Sequence, residues 1–394
     1  MTTTRPTLPF SRPEPLDPPP DYARLRDSTP VAPVLAPDGQ PAWLVTSYDA
    51  VATVLADPRF GLAPPGDTSP GNDTLFQDGE AHIRLRRLVS KAFTPRSIAA
   101  LRPRIEQLAA GHVAALADAG PPADLVTGLA APLSITVISD LLGVTIEERE
   151  HFRGLADAVG AVDFVHGGEE ELAAAAQAWG ALGGYASGLV AAKREEPGDD
   201  LLSALIAVRD SDDGRLSDDE LIGMATTVVA AGYLTACNAV SVGTLRLLTE
   251  GRLAELASAG SDQVDATVEE VLRMQAGLTG EPFPRYAHED LELGGVPVRA
   301  GDVVLVRLEG ASRDPAHFTN PDRFIPGRRS SPPLTFGNGP HYCLGAALAR
   351  IEVGSVLRAL ARQLPGLRLQ GPVDDIPWTR DSVDNGPTAL DVSW

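Results

Sequence analysis

One long apolar segment constrains the fold more than any other part of the sequence. It reads DDELIGMATTVVAAGYLTACNAVSVGTLRLL, over residues 218–248, and it begins with the acidic residues Asp218, Asp219 and Glu220. Acidic side chains in a first turn interact favourably with the helix dipole, and the apolar run is long enough to be buried on all sides. The segment therefore predicts one long helix that crosses the core of the protein.

The rest of the chain is rich enough in apolar and helix-forming residues to enclose such a helix. The 394 residues are 43% hydrophobic, and the pattern is mostly helical from about residue 101 to residue 248. Short β-rich pieces with glycine turns follow, as in LELGGVPVRAGDVVLVRL, and a strand AWLVTSY precedes a helix near the N-terminus. We predict a mainly α protein with a smaller β region, as a single domain over residues 1–394 with a Pro-rich lead at 1–20.

Charge and cysteine usage narrow the cellular setting and the partners. The formal net charge of −20 argues against binding to a nucleic-acid backbone, which depends on clustered Lys and Arg. Cys237 and Cys343 lie far apart in different surroundings, so they make a poor disulfide framework and indicate a reducing compartment. Residues 1–20 lack the apolar core of a signal sequence, and no run approaches the roughly 20 apolar residues of a membrane span. We expect a cytoplasmic protein with neither a membrane nor a nucleic-acid partner.

A glycine-rich stretch, FGNGPHYCLG, contains one of the two cysteines, Cys343. Three ordinary roles are open to this thiol. It is a small buried hydrophobe, a nucleophile or a zinc ligand. A nucleophile needs a base, and the nearest candidate in the sequence is His341, two residues away. A structural zinc site needs several ligands, and Cys237 is the only other cysteine.

The fourth role is a single axial thiolate on haem iron, for which one cysteine is enough. The glycines Gly337, Gly339 and Gly345 would let the backbone fold close beside a flat macrocycle. Backbone N–H groups in such a loop donate to the sulfur and tune its electron donation. This role explains the glycines as well as the cysteine.

The same stretch resembles the F-x-x-G-x-[HR]-x-C-x-G signature of the cytochrome P-450 family, the haem-thiolate monooxygenases, in its soluble bacterial form. The residues that carry the likeness are Phe336, Gly337, Gly339, His341, Cys343 and Gly345. The resemblance implies the cytochrome P-450 fold, with haem b between the long central helix and the cysteine loop. It further implies that Cys343 is the axial ligand of the iron, that Phe336 packs near the sulfur and that His341 contacts a haem propionate.

Two further motifs precede the cysteine in the order that this family has. EEVLR places Glu270 and Arg273 three residues apart, on one face of a helix, and NPDRF supplies Arg323. Such a pair alone is most often a solvated surface salt bridge. The resemblance implies instead that Glu270, Arg273 and Arg323 form a buried charge network that braces the ligand loop.

Other cationic residues match positions at which the family binds the haem carboxylates. His82 and Arg86 stand four residues apart on a predicted helix, and Arg285 opens RYAHEDLEL. By composition alone each would be an ordinary surface cation. The resemblance implies that all three residues contact the haem propionates. With these positions included, the likeness extends over nearly the whole chain.

The oxygen side of the predicted site departs from the family pattern A-G-x-[DE]-T-[TS]. Ala231, Gly232 and Thr235 match it, and the resemblance gives these three the catalytic positions, with a groove beside bound O2. Leu234, however, stands where the family has an acid. Splitting the O–O bond heterolytically requires two protons at the distal oxygen, and Leu234 neither donates nor relays one.

Three outcomes remain open for this departure. Ordered water and another polar group relay the protons; or a substrate hydroxyl or carboxylate does so; or the enzyme couples, cyclises or desaturates its substrate without inserting oxygen. Outside the enzyme class, a non-catalytic haem protein acting as a recruiter or ligand carrier is the alternative. The leading function is hydroxylation or epoxidation of a bulky secondary metabolite, a polyketide, macrolide or peptide.

The resemblance also predicts the substrate pocket and the redox partners. The pocket residues are Leu234, Leu278, Phe283 and Val383, and the substrate is a small-molecule natural product, presented free or on a carrier protein. The sequence has no flavin or iron–sulfur motif, so a ferredoxin with its reductase is implied. Because ferredoxins are usually acidic, we expect them to dock on Arg86, Arg87 and Lys91.

Overall fold

A computed structural model describes residues 5–66, 74–160, 169–211, 216–281, 283–379 and 385–394. Helices dominate these residues, as the sequence pattern predicted. The helices are α1 (Pro20–Ser28), α2 (Tyr48–Ala56), α3 (Gly79–Ser90), α4 (Pro95–Ala119), α5 (Ala131–Leu142), α6 (Arg149–Gly160), α7 (Glu169–Glu195), α8 (Leu201–Ser211), α9 (Asp218–Thr249), α10 (Ser261–Met274), α11 (Leu308–Ser312) and α12 (Ala346–Gln363).

The β region is small and draws on distant parts of the chain. Its strands are β1 (Val31–Leu35), β2 (Pro41–Val45), β3 (Phe60–Gly61), β4 (Ala123–Asp124), β5 (Arg285–Ala287), β6 (Leu291–Leu293), β7 (Val296–Val298), β8 (Val303–Val306), β9 (Arg368–Leu369) and β10 (Asp391–Ser393). The largest sheet has the order β1-β2-β8-β5-β3 and is antiparallel except between β2 and β8. This sheet holds β5, and with it Arg285, against the N-terminal strands.

The helix predicted from the apolar segment is α9, and it begins with a complete capping box. The Ser217 hydroxyl accepts a hydrogen bond from the Glu220 backbone N–H, and the Glu220 carboxylate accepts one from the Ser217 backbone N–H. The helix packs against α5, α6, α7 and α12. The prediction of a mainly α fold built around one central helix is confirmed.

One expectation about this helix needs correction. Among the described helices, α9 is long and apolar enough to cross a membrane by length and composition, so the sequence does contain a run of that kind. Most of its apolar window is nevertheless buried inside the protein, where the neighbouring helices cover it. The apolar composition of α9 is explained by its position in the core.

A buried carboxyl group connects two of the helices around α9. The Ser134 hydroxyl in α5 donates to Glu352 Oε1 in α12 at 2.6 Å, and both residues are buried. Burial raises the pKa of Glu352 to about 7, and the bond from Ser134 acts in the opposite direction. At mildly acidic pH the folded protein therefore holds a proton on Glu352 that the unfolded chain has already lost.

Replacing Glu352 with glutamine is expected to make the protein less sensitive to pH. Because the folded-state pKa lies above the unfolded value, wild-type stability falls as pH rises from about 4.3 to about 7, by on the order of 3 kcal/mol. Glutamine keeps the acceptor for Ser134 and cannot ionise. Urea denaturation should show that Glu352→Gln raises the free energy of unfolding, relative to wild type, more at about pH 8 than at about pH 5. An equal increase at both pH values would contradict the raised pKa of Glu352.

Candidate active site

The loop before α12 presents Cys343 on a tightly folded backbone. The Cys343 backbone N–H donates to the Phe336 carbonyl at 2.9 Å, and the Gly337 N–H donates to the Leu334 carbonyl at 2.8 Å. Gly337 and Gly339 have φ of +79° and +73°, in the left-handed region that favours glycine. A Cβ on Gly339 would also lie 2.6 Å from the Ala56 Cα, so this loop is held directly against α2. The loop needs glycine at both positions.

The thiol of Cys343 is exposed although protein groups surround it closely. Desolvation raises its pKa, and backbone hydrogen bonds from Gly345 and Ala346 and the charges of Arg86 and Arg350 oppose that rise. The other thiol differs, since Cys237 is buried in α9 and burial raises its pKa to about 12. Of the two cysteine sulfur atoms, the one in Cys343 is accessible to a ligand.

Four basic side chains and one acid gather beside this loop. His82 in α3 contacts the Leu75 and Pro340 carbonyls through its two ring nitrogens, each at 3.2 Å. Its ring lies 4.2 Å from that of His341, whose Nε2 is 2.9 Å from Asp78 Oδ1. A neutral imidazole has one N–H, so His82 donates to only one of its carbonyl neighbours while burial keeps its pKa low.

The guanidinium groups of the half-buried Arg86 and the buried Arg285 complete the cluster. Arg86 donates to the Tyr342 carbonyl at 2.6 Å, and Arg285 donates to the Phe283 carbonyl at 2.6 Å. Burial lowers the pKa of both arginines, although Cys343 and Asp78 respectively act against that change. Neither arginine has a direct carboxylate partner among the described residues, which leaves buried positive charge that an anion would stabilise.

This arrangement fits haem. A single accessible thiol, a glycine loop that keeps the backbone compact and basic groups from α3, β5 and the cysteine loop suit a flat group with an iron centre and two carboxylates. Within the described residues, no cluster of His, Cys, Asp and Glu could hold a metal ion directly. The porphyrin would supply the remaining ligands.

One face of α9 is open in the middle of the core. Ala231 is exposed and Thr235, one turn later, is half-buried, although most of the helix is covered. The Thr235 hydroxyl donates to the Ala231 carbonyl at 2.5 Å. The helix α12, which begins just after Cys343, packs on α9 and so connects the cysteine loop to this helix.

The neighbouring residues of α9 point away from that face. A Cβ on Gly232 would lie 2.7 Å from Ile138 Cδ1, so this glycine allows α9 and α5 to pack closely. Leu234 packs on α6, where a Cβ added to Gly160 would lie 2.1 Å from Leu234 Cδ1. Tyr233 also faces α6, and its hydroxyl donates to Asp157 Oδ1 at 2.7 Å. The residue at the acid position is therefore an apolar contact between α9 and α6.

The charge network contains Glu270 and Arg273, but its second arginine is Arg328. Arg273 donates to both carboxylate oxygens of Glu270 at 2.9 Å, and Arg328 Nη2 lies 2.9 Å from Glu270 Oε1. The prediction of Arg323 in this position was wrong. Arg323 is exposed, and its backbone carbonyl accepts a hydrogen bond from Arg328 because the loop turns between these residues. Burial would raise the pKa of Glu270, and the bonds from both arginines outweigh this and hold it low.

The predicted pocket residues occupy different positions. Phe283 is half-buried, and its ring meets the exposed Phe76 ring edge-on at 5.0 Å between centroids. Leu278 is 3% exposed and packs in the main core, so its side chain cannot line an open pocket. The expectation for Leu278 is corrected accordingly, because the segment after α10 turns this side chain inward. Val383 lies outside the described residues.

Sequence reasoning missed three residues that help to build this region. Arg328 had no motif of its own, and a turn after Phe324 decides that it reaches Glu270. Asp78, at the N-cap position of α3, binds both His341 and the Leu62 backbone N–H. Phe76 lies in a Gly/Pro-rich stretch without periodicity, and only its contact with Phe283 reveals it. Of these three residues, only Asp78 had a signal in the sequence, because aspartate is a preferred residue at a helix N-cap.

The fold and the site together define a haem-thiolate oxidoreductase. Residues 262–364 match the family profile described as Cytochrome P450. Nocardicin C N-oxygenase of Nocardia uniformis subsp. tsuyamanensis is 39% identical to the chain, over 100% of it and 99% of the relative. Mycinamicin IV hydroxylase/epoxidase of Micromonospora griseorubida is 38% identical, over 95% of the chain and 94% of the relative.

Solved structures give the same result. CYP105P2 of Streptomyces peucetius, in complex with a biphenyl compound, has a TM-score of 0.91 and 37% identity, over 100% of both chains. CYP105P1 in complex with filipin I has a TM-score of 0.90 and 38% identity, over 99% of both chains. The chain belongs to the cytochrome P450 family. It is a monooxygenase, and its cofactor is haem with an axial cysteine thiolate.

Replacing Arg285 with alanine is expected to weaken haem retention about 10- to 100-fold, because a charge-assisted hydrogen bond to a carboxylate contributes about 1.5–3 kcal/mol. The measurement is the rate at which haem transfers from the holoenzyme to excess apomyoglobin. Arg87→Ala is the control, since Arg87 is an exposed arginine of α3. Equal haem loss from both variants would contradict a propionate contact at Arg285.

Proposed function

We propose that this monooxygenase hydroxylates or epoxidises a bulky natural product with a polyketide, macrolide or peptide scaffold. The observation that carries the proposal is the accessible Cys343 in its glycine loop together with the open face of α9 at Ala231 and Thr235. The names of the relatives support the substrate class. One is a hydroxylase/epoxidase of mycinamicin IV, another is a 6-deoxyerythronolide B hydroxylase, and a neighbouring structure holds filipin I.

Each site residue has a defined task in this proposal. Haem, when bound, supplies the iron at which dioxygen is activated. Cys343 would supply the thiolate that binds the iron, and His82, Arg86, Arg285 and His341 would hold the haem carboxylates. The Thr235 hydroxyl, which donates to the Ala231 carbonyl, would hold a water molecule at the open face of α9.

The protons have to reach that face without a side-chain acid at Leu234. The Leu234 side chain packs on Gly160 and therefore faces α6 rather than Thr235. We infer that water ordered by Thr235, or a hydroxyl of the substrate, carries the protons. Coupling or cyclisation of the substrate without net oxygen insertion is the second candidate, and the missing acid is the observation that favours it.

An optical titration followed by product analysis tests the proposal. The ferric holoenzyme is titrated with macrolactones, linear polyketides and cyclic peptides, and a shift from low-spin to high-spin iron identifies the class that displaces distal water. Turnover of the best ligand under 18O2 then distinguishes the outcomes. One labelled oxygen atom in the product supports hydroxylation or epoxidation, and an unlabelled dehydrogenated product supports coupling or cyclisation.

Restoring an acid at Leu234 tests the proton path. If proton delivery limits turnover, Leu234→Glu is expected to raise oxygen insertion and reduce peroxide release relative to wild type, with Leu234→Gln as the control that cannot ionise. The measurement is product and peroxide formed per NADPH consumed. The absence of any difference between the two variants would favour delivery through water or substrate.

The electron donor is proposed to be an acidic ferredoxin with its reductase, docking on α3. Arg87 on this helix and Lys91, which directly follows it, are exposed, whereas Arg86 is half-buried and bonded to the cysteine loop. Arg87→Ala combined with Lys91→Ala is expected to slow the first reduction by about tenfold at low ionic strength and much less at high salt. Stopped-flow reduction measures this. A rate unchanged at every salt concentration would exclude this surface.

A further inference from the structure

None of the described residues hydrogen-bonds to the side chain of Asn238, although Asn238 is almost completely buried. Asn238 lies three residues after Thr235 and seven after Ala231, so it extends the open face of α9 by one turn. It is 8% exposed, and no group in the described part of the chain hydrogen-bonds to its amide. The amide is also not among the fully enclosed polar atoms, so it borders accessible space.

The C-terminal segment holds this amide in place. A Cβ added to Gly386 would lie 2.1 Å from Asn238 Oδ1, so the backbone of Gly386 lies directly against the amide. Gly386 is itself fixed, because its N–H donates to Thr379 Oγ1 at 3.0 Å and its carbonyl accepts from the Thr379 N–H at 2.9 Å. The Asn385 N–H donates to the Leu278 carbonyl at 3.2 Å, which connects this turn to the segment after α10.

A buried amide in this position costs free energy unless it finds a partner. An unsatisfied buried polar group typically costs about 1–3 kcal/mol, and leucine, which has a similar size, would avoid that cost. Among the described neighbours, Thr379 and Gly386 are already bonded to each other. A partner that arrives at the open face of α9 would satisfy the amide.

We infer that Asn238 determines substrate specificity by hydrogen-bonding an oxygen-bearing group, a hydroxyl or a carbonyl, of the substrate. The inference rests on the proposed function, since it places the substrate at the open face of α9. A carboxamide has both donors and an acceptor, so it pairs with either group. A substrate that is pure hydrocarbon at this end would leave the amide unpaired and would be selected against.

The test uses the holoenzyme and a matched set of azole probes. 4-Phenylimidazole is compared with derivatives that carry a hydroxyl or a carboxamide at each ring position, in wild type, Asn238→Leu and Ser241→Ala. Ser241 is the control, because it is a buried polar residue of α9 whose hydroxyl bonds only within the helix, to the Cys237 carbonyl. Binding is followed by the optical shift of the iron.

The expected result is that at least one oxygenated probe binds wild type and Ser241→Ala about tenfold more tightly than the parent, in line with one hydrogen bond to a buried amide. Asn238→Leu should bring this preference to less than about twofold while binding the parent as wild type does. An unchanged preference in Asn238→Leu, or no preference in wild type at any ring position, overturns the inference.

Thermal unfolding of the probe-free enzymes separates this role from a purely structural one. If the Asn238 amide is unpaired until a substrate binds, Asn238→Leu should keep or raise the Tm, because the substitution removes an unpaired buried amide. A lowered Tm, with equal losses of affinity for all probes, would show that Asn238 only supports the C-terminal turn. Failure of the proposed function looks different, since wild type would then lack the thiolate spectrum or form no oxygenated product.

Discussion

Replacing Arg273 with alanine should lower the free energy of unfolding by about 3–5 kcal/mol, because removing one partner of a buried ion pair leaves the other charge uncompensated. Arg273 and Glu270 have side chains only 1% and 4% exposed. Arg273 also donates to the Ser312 carbonyl at 2.7 Å and lies over the Phe318 ring at 5.3 Å. Few substitutions in this protein would disrupt so many buried contacts.

Arg323→Ala is the matched control, and it should change stability by less than about 0.5 kcal/mol, as exposed substitutions usually do. Urea denaturation and haem content of the two purified variants measure the effect. If Arg323→Ala were the more damaging, the assignment of Arg328 as the second arginine of the network would be wrong. Arg328→Ala should also lower the free energy of unfolding, since Arg328 donates to Glu270 as well.

The same network has a predictable pH dependence. The folded-state pKa of Glu270 lies below its unfolded value, because the bonds from Arg273 and Arg328 outweigh the effect of burial. Its contribution to stability is therefore present above the unfolded pKa and is lost as pH falls through the folded one. Arg273→Ala should flatten the acid limb of the stability profile, which denaturation at a series of acidic pH values would show.

The second large effect is expected from the cysteine loop. Cys343→Ser should reduce monooxygenase turnover by about a thousandfold or more, because the thiolate supplies the electron density that favours O–O cleavage. The reduced CO complex should lose its thiolate absorption band at the same time. Turnover with the ligand chosen by optical titration, and the CO spectrum, are the two measurements.

Cys237→Ala controls for the loss of a thiol elsewhere in the core. Cys237 is buried in α9, and burial raises its pKa to about 12, which disfavours its thiolate form. The variant should keep the CO spectrum of wild type. A thiolate spectrum that survives in Cys343→Ser but disappears in Cys237→Ala would reverse the assignment of the ligand.

Local patterns in the sequence determined a large part of this structure. The apolar run with its acidic start predicted α9, and glycines in a fixed spacing predicted a tightly turned loop at Cys343. The three-residue spacing of Glu270 and Arg273 placed both on one helical face, where the structure pairs them. Helical periodicity and left-handed glycines are properties of neighbouring residues, so one sequence is enough to read them.

Contacts between distant segments were decided by the tertiary structure alone. A loop turn brings Arg328 rather than Arg323 to Glu270, and the segment after α10 buries Leu278 instead of exposing it. The packing of α6 takes Leu234 away from Thr235, and the C-terminal turn places Gly386 against Asn238. Loop paths and helix packing depend on the whole core, because the partner of a side chain is set by which backbone passes within a few ångströms of it. No local spacing contains that information.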